Sequence, residues 1–434
     1  MIAPRSPVYL THSPTPKVHH FALLAALEAG VRGLLLSVMP LAIYNAFGDA
    51  GVVSRIYFFV GLAALIFGAT VPFVSRFVPR RWLYTSAGVL YLVGVALALT
   101  NIPMLVAGAI MANALAATIS SISLSAYVLD YIQRTDLGKN ETARLVYSAL
   151  PWSVGPFLGV WMMDRWWGLP FVVASLFAVL MILTFWRLRL GNGKQITKAR
   201  GPAPNPYAFL GRFFAQPRLV AGWTFATIRS CGWWVYIVYL PIFCVESGIG
   251  KYWGAAAVSL ANAILFVAPV MLKVVNRIGV KTSVRFAFAG AAICGAVAWG
   301  AADWPWVTYW TMVGMSFFLV ALDVSGSLPF LMAVKPSERT EMAAVFASYR
   351  DASGILTPAV AWAVLAFAPI SAVFLAGGVG MVIVVMPVMR IGILVIALFA
   401  MEHQEVHAER IESGHKHTGQ HGEVGKASGC QVAF

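Results

Sequence analysis

Charged residues are scarce in this chain, and acidic residues are scarcer than basic ones. Asp, Glu, Lys and Arg make up 11% of its 434 residues and hydrophobic residues make up 60%, whereas a typical soluble domain is about 25% charged. The mean hydropathy is +0.78. A soluble fold of this composition would expose enough apolar surface to aggregate. The composition therefore excludes a water-soluble domain and predicts an all-α membrane protein.

Cysteine and histidine are also sparse. The four cysteines have no spacing typical of a metal cluster or a disulfide framework. The histidines lie outside the predicted spans and gather in the polar tail, where His403 and His407 share a spacing that can bind Zn²⁺ or Ni²⁺. A solvated tail accounts for them without a metal. We expect no metal site and no cofactor, which makes metal transport only the third function considered.

Long apolar runs fill the rest of the sequence. Because a spanning helix needs about 20 apolar residues, we predict twelve spans, near residues 21–45, 51–75, 82–99, 103–131, 143–163, 169–188, 219–243, 252–274, 282–301, 305–333, 342–367 and 369–397. The second half repeats the first about 201 residues later. Arg76 and Arg277 occupy matching links, and Pro40 and Pro241 occupy matching helices. The predicted fold is therefore two pseudo-symmetric halves of six helices each, residues 21–188 and 219–397.

Lysine and arginine cluster on one side of the predicted spans. They occupy the links after even-numbered spans and the basic linker 189–218, whereas the opposite links and their flanks hold only Arg55, Arg165 and Lys251. This is the positive-inside pattern. It explains the net charge of +14 without nucleic acid as a partner. It also predicts that the N-terminal segment 1–20 and the polar tail 398–434 both lie in the cytoplasm.

The links after spans 2 and 8 carry related basic patterns. The first runs from Gly68 through Pro72, Ser75, Arg76 and Pro79 to Arg80 and Arg81, and the second contains Asn276, Arg277, Gly279 and Lys281. Together with the twelve-span layout, they resemble the major facilitator superfamily. The resemblance implies a monomeric secondary transporter that alternates access to a mid-membrane site. An enzyme is not expected, because it would need clustered acids, histidines or a serine–base pair near one membrane face.

In that family, the two links lock helix ends together and gate the cytoplasmic face. The resemblance assigns this gating role to Arg76, Arg80, Arg81, Asp130, Arg277 and Lys281. The family's acidic residue is replaced here by Ser75 in the first link and by Asn276 in the second. Asp130, at the cytoplasmic end of span 4, is the candidate for supplying the missing negative charge.

Span 5 contains the string VGPFLGV, with Gly155, Pro156 and Gly159. It resembles part of the antiporter signature of drug exporters, which implies the alternative function of proton-coupled multidrug efflux. Two positions depart from that signature, because Pro151 and Val160 stand where it has glycine, and span 4 lacks the arginine of exporters. The other interpretation is a notch for helix packing, since glycine and proline are common in membrane helices.

Six charges lie deep inside spans that line or flank the predicted central cavity: Glu28, Arg32, Arg229, Asp323, Arg350 and Asp351. Such charges are costly in lipid and usually mark function. Glu28 and Arg32 are four residues apart and can pair on one helix face, and Asp323 can pair with Arg350. The pairs either fix packing or handle substrate and a coupling proton. An acid that loses its cation to substrate can take up a proton, which makes Glu28, Asp323 and Asp351 the proton-coupling candidates.

Aromatic residues accompany these charges in span 7. Arg229, Trp233 and Tyr236 follow an i, i+4, i+7 spacing and predict one face, and Tyr349 stands beside Arg350 in span 11. The predicted substrate-binding residues are Arg32, Arg229, Trp233, Tyr236, Asp323, Tyr349 and Arg350. Aromatic planes with a few polar groups suit a flat, partly polar solute. The three arginines favour a neutral or anionic solute. The other interpretation is that the rings serve helix packing or an interfacial belt. Within the superfamily, the overall pattern resembles bacterial inner-membrane carriers that take up riboflavin.

Overall fold

The computed structural model describes residues 17–74, 77–132, 137–188, 210–324, 330, 334, 342 and 345–382, all of which belong to one compact unit, Met1–Val382. Within these residues the secondary structure is helical, and no strand occurs. Most of the predicted linker 189–218, the end of the predicted twelfth span and the whole tail 398–434 lie outside them. The all-α fold class predicted from composition is confirmed.

Six long helices form the first half: α1 (Val18–Phe47), α2 (Ala50–Val74), α3 (Arg80–Leu99), α4 (Pro103–Tyr131), α5 (Leu137–Arg165) and α6 (Leu169–Arg187). Their ends follow local chemistry. Pro103 begins α4, where its missing N–H removes a donor that has no partner in the helix. Gly48 ends α1 with a φ of 68°, and its N–H donates to the Tyr44 carbonyl at 2.7 Å. This left-handed C-cap allows the chain to turn directly into α2.

The second half follows a short helix, Leu210–Phe214, and contains α7 to α12. These are α7 (Pro217–Glu246), α8 (Lys251–Ile264 and Ala268–Ile278, joined by the 3₁₀ turn Leu265–Val267), α9 (Val280–Gly300), α10 (Pro305–Val324), α11 (Tyr349–Leu365) and α12 (Ser371–Val382). Within α7, Val235–Tyr239 is π-helical and lies between the α-helical stretches Pro217–Trp234 and Leu240–Glu246.

The order and lengths of the helices agree with the predicted division into two matching halves. In the described part of the chain, nine helices are long and apolar enough to cross a membrane. The 3₁₀ turn interrupts α8, and the described parts of α11 and α12 are shorter. The predicted number of twelve spans is consistent with these helices. The repeat is also visible, because α1 and α7 are both 30 residues long and contain Glu28 and Arg229 at the matching positions.

Helices α1 and α5 pack with their backbones in direct contact. A Cβ added at Gly159 would lie 2.2 Å from the Leu34 carbonyl oxygen, and one at Gly155 would lie 2.6 Å from the carbonyl carbon of Gly33. A Cβ at Gly33 would lie 2.4 Å from the Pro151 carbonyl oxygen. Small residues allow this approach between membrane helices. The glycines of VGPFLGV therefore pack against α1, as the packing interpretation of this motif predicted.

The two halves are bonded to each other at one end of the bundle, here called the α1–α2 face because it carries the α1–α2 link. The Asp164 carboxylate at the end of α5 pairs with Lys251 and accepts a hydrogen bond from the Tyr252 hydroxyl, both at the start of α8. Nearby, the hydroxyl groups of Ser54 and Tyr239 are 2.8 Å apart. These bonds hold the halves together on this side of the bundle.

Candidate functional site

A cavity of about 490 Å³ lies between the two halves. Helices α1 to α4 form one side of its wall, and α7 and α11 form the other. Small-molecule sites typically occupy about 300–1,000 Å³, so the cavity has the size of a small-molecule site. Its charged and aromatic lining residues are Arg32, Tyr57, Tyr91, Arg229, Trp233, Trp234, Tyr349, Arg350 and Asp351.

On the first half, α1 contributes an arginine that faces the cavity and an acid that does not. Arg32 Nη1 lies 3.8 Å from Glu28 Oε1, and their side chains are 46% and 10% exposed. The Arg32 guanidinium also lies 5.3 Å from the centre of the Trp152 ring, a distance typical of a cation–π contact. The Tyr91 hydroxyl donates to Glu28 Oε1 at 3.4 Å. The i, i+4 pairing predicted for Glu28 and Arg32 is therefore present.

On the second half, the acid of α10 pairs with α7. Arg229 Nε lies 3.1 Å from Asp323 Oδ1, and Trp233 Nε1 donates to Asp323 Oδ2 at 2.9 Å. The sequence prediction was different, because it paired Asp323 with Arg350. Arg229 and Trp233 are one helical turn apart on α7 and reach Asp323 together, so both oxygens of the carboxylate are occupied. Asp323 and Glu28 both lie outside the residues that line the cavity.

Two arginines meet at Tyr349 on α11. Arg229 Nη2 donates to the Tyr349 hydroxyl at 3.3 Å, and Arg350 Nε donates to the same oxygen at 3.1 Å. Each guanidinium carbon is 5.6 Å from the centre of the tyrosine ring. Arg229 is buried and Arg350 is exposed to the cavity. The three residues join α7 to α11 across the cavity wall.

Tyr236 departs from the face predicted for it. Its side chain is fully buried, and its hydroxyl donates to the Ala257 carbonyl of α8 at 2.9 Å. It does not line the cavity, whereas Trp234, Ile237 and Val238 do. The i, i+4, i+7 argument assumes α-helical geometry throughout. The π-helical segment Val235–Tyr239 breaks that assumption, since its i→i+5 bonds change the angular register.

The structure thus brings six predicted residues together in one cavity wall: Arg32, Arg229, Trp233, Tyr349, Arg350 and Asp351. Sequence reasoning missed Tyr57, Tyr91 and Asn113, which also line it. Asn113 had a usable signal, because it is a polar residue inside the apolar run of α4. Tyr57 had none, since one tyrosine on a spanning helix is ordinary.

The residues predicted to gate the cytoplasmic face are described only in part. Arg81 is half-buried in the first turn of α3, and Arg277 and Lys281 are exposed at the α8–α9 link. Arg76 and the side chains of Arg80 and Asp130 lie outside the described part of the chain. Their gating role stays a prediction.

Residues 21–358 match the sequence profile of the Major Facilitator Superfamily. The chain therefore belongs to this superfamily, and it is a multi-pass membrane transporter rather than an enzyme. No curated protein sequence matches it.

Solved transporters share the fold at low sequence identity. A point mutant of the nucleoside transporter NupG is 13% identical, with a TM-score of 0.66 over 86% of this chain and 99% of that one. A POT family transporter in complex with 5-aminolevulinic acid is 12% identical, with a TM-score of 0.68 over 86% and 95%. A bacterial homologue of the iron transporter ferroportin, in an inward-facing state, is 12% identical, with a TM-score of 0.64 over 85% and 98%. These similarities establish the fold and leave the solute open.

Proposed function

We propose that this chain moves a small neutral or anionic organic solute across a bacterial inner membrane by alternating access of its two halves. The cavity between the halves carries the proposal, because Arg32 lines it from one half and Arg229 and Arg350 line it from the other. Three guanidinium groups and one carboxylate, that of Asp351, line the cavity, whereas Glu28 and Asp323 lie outside the lining, so the lining disfavours a cationic solute. The superfamily resemblance supports a monomer, and the positive-inside pattern supports cytoplasmic termini.

Riboflavin, a planar polar vitamin, is the first candidate for uptake. Its support is the sequence resemblance together with the aromatic lining of Tyr57, Trp233 and Trp234, which suits a flat ligand. The second candidate function is proton-coupled efflux of drugs, which the VGPFLGV motif favours. We rank uptake first because the glycines of that motif are already engaged in packing against α1.

Reconstituted vesicles distinguish the two functions. The protein is placed in liposomes under a pH gradient, and the flux of riboflavin is measured beside that of a cationic dye. Trp234→Leu removes a lining ring, and its control is Trp299→Leu, which removes an exposed ring on α9. Riboflavin flux that falls about two- to tenfold only in Trp234→Leu supports uptake, since an aromatic contact contributes about 0.5–1.5 kcal/mol beyond its buried area. Dye flux alone supports efflux, and flux of neither solute removes both candidates.

Glu28→Gln is expected to uncouple solute movement from the pH gradient. Arg32 faces the cavity and Glu28 lies behind it, so a solute that draws Arg32 away leaves a buried carboxylate that can take up a proton. Glutamine keeps the shape but cannot ionise. Uptake driven by the pH gradient should disappear, whereas exchange of labelled for unlabelled solute should continue. Full gradient-driven uptake in Glu28→Gln would rule out Glu28 as the proton carrier, and Asp303→Asn in the α9–α10 link is the control.

Asp164→Asn is expected to open the α1–α2 face. It removes the ion pair with Lys251 and weakens the bond from Tyr252. An exposed ion pair contributes little to stability, so the open population should rise by at most about fivefold. Cysteines replace Ile102 and Trp304 in a background without the native cysteines, and each carries a spin label. Double electron–electron resonance between the two labels then reports the distance between the halves. Lys251→Arg keeps the charge pair and should leave the distances unchanged; the same result for Asp164→Asn would contradict the role of this pair.

A further inference from the structure

Two cations converge on one neutral oxygen in the cavity wall. The hydroxyl of Tyr349 accepts hydrogen bonds from Arg229 at 3.3 Å and from Arg350 at 3.1 Å. A hydroxyl oxygen carries no formal charge, so it does not neutralise either guanidinium. Each cation therefore needs a negative partner from elsewhere, and a cation left without one in a membrane protein is costly.

The nearby carboxylates compensate the two arginines unequally. Asp323 pairs with Arg229 at 3.1 Å, and Glu28 pairs with Arg32 in the other half at 3.8 Å. For Arg350, no carboxylate oxygen of the described residues lies within the 4.0 Å of an ion pair. Asp351 lines the same wall, and both Asp351 and Asp323 act on Arg350 electrostatically from beyond that distance. Among the described residues, Arg350 is thus a cation that faces the cavity and donates one hydrogen bond, from Nε to Tyr349.

The cavity that Arg350 lines is also lined by aromatic rings. Trp234 contacts Tyr57 edge to face, with ring centroids 5.8 Å apart, and Trp233 stands on the same helix. A guanidinium binds a carboxylate through two parallel hydrogen bonds, while aromatic side chains accommodate a flat apolar body. A cavity with an exposed guanidinium and aromatic rings in its lining therefore matches a solute with both features.

We propose that the solute is an aromatic organic anion. Its carboxylate binds Arg350 in the place where no protein carboxylate pairs with this arginine, and its ring lies against Trp233 and Trp234. This inference rests on the proposed function and names the class of solute within it. Riboflavin has no carboxylate and lies outside this class, so a strong carboxylate preference would favour another aromatic solute.

Three probes that share one ring system test the charge requirement. They are 2-naphthoate, the neutral 2-naphthamide and the cation 2-naphthylmethylammonium, titrated calorimetrically into the purified full-length protein in detergent. A hydrogen bond to a charged group contributes about 1.5–3 kcal/mol, so naphthoate should bind about tenfold or more tightly than the amide. Equal affinities, tighter binding of the ammonium, or no naphthoate binding up to its solubility limit would each overturn the inference.

Variants of Arg350 locate the anion site. Arg350→Gln should lower the affinity for naphthoate to that for naphthamide and leave the amide affinity unchanged. Arg285→Gln, at an exposed arginine of α9 outside the cavity, should change neither. If Arg350→Gln is not monodisperse, Arg350→Lys replaces it, and the preference should fall but persist because lysine keeps the charge without the planar fork. A preference that is unchanged in the variant used would place the anion elsewhere and overturn the proposal.

The binding experiment and the vesicle experiment test the anion inference and the proposed transport independently. A carboxylate preference without flux of any solute would contradict the proposed transport and leave the anion site standing. Flux without a carboxylate preference would contradict the anion inference alone.

Discussion

The double variant Arg229→Gln with Asp323→Asn is expected to be more stable than Arg229→Gln alone. The two side chains form an ion pair at 3.1 Å and are only 11% and 28% exposed. Removing one partner leaves the other charge uncompensated, which costs about 3–5 kcal/mol for a buried pair, whereas replacing both partners is often close to neutral. The double variant should therefore recover most of the stability lost in the single one.

Thermal unfolding of the purified proteins in detergent measures this difference. The wild type, both single variants and the double variant are compared under one set of conditions, with Arg285→Gln as the control for loss of an exposed positive charge. If the losses of the two single variants simply add in the double variant, the pair is not coupled and the explanation is wrong. Because the double variant keeps its fold, its transport activity then reports the role of Arg229 in the cavity, with no loss of activity from misfolded protein.

Gly159→Ala is expected to lower the free energy of unfolding. The loss should lie at the upper end of the range that is typical of overpacked sites. The new Cβ would lie 2.2 Å from the Leu34 carbonyl oxygen, and a helix backbone cannot move aside as a flexible side chain can. Overpacking usually costs about 1–3 kcal/mol and sometimes more. Here α1 and α5 must separate along their contact, so the unfolding midpoint should fall and the yield of monodisperse protein should drop.

Gly314→Ala is the matched control. Gly314 lies inside α10, and no heavy atom is within 4 Å of the position of its added Cβ. In open space, alanine favours a helix over glycine by about 0.5–1 kcal/mol, so this variant should be neutral or slightly more stable. Equal stability of Gly159→Ala and Gly314→Ala would show that the contact between α1 and α5 yields more easily than the structure implies.

The helices were predictable because their signals are local. A run of apolar residues long enough to cross a bilayer must satisfy its backbone bonds internally, so α1 and α7 follow from hydropathy alone. The interruption of α7 by the π-helical Val235–Tyr239 did not follow, since its sequence is as apolar as its surroundings. Tyr236 lies inside this segment and faces α8 instead of the cavity.

The chemical character of the site was also predictable, although its pairings were not. A charge inside an apolar helix is conspicuous in sequence, so Arg32, Arg229 and Arg350 were found without a structure. Their partners depend on which helices are adjacent and how they are rotated. The sequence therefore supported the local pair of Glu28 with Arg32, but only the structure showed that Asp323 forms an ion pair with Arg229 and accepts a hydrogen bond from Trp233.

By itself, the sequence determined that the chain spans the membrane, that it is built of two related halves, and which residues carry charge within the bilayer. Those properties depend on hydrophobicity along one helix and on a repeat along one chain. The tertiary structure decided which charges are paired, which face the cavity, and that Asp164 of one half meets Lys251 of the other. These properties depend on distances between helices far apart in the chain, which no local pattern encodes.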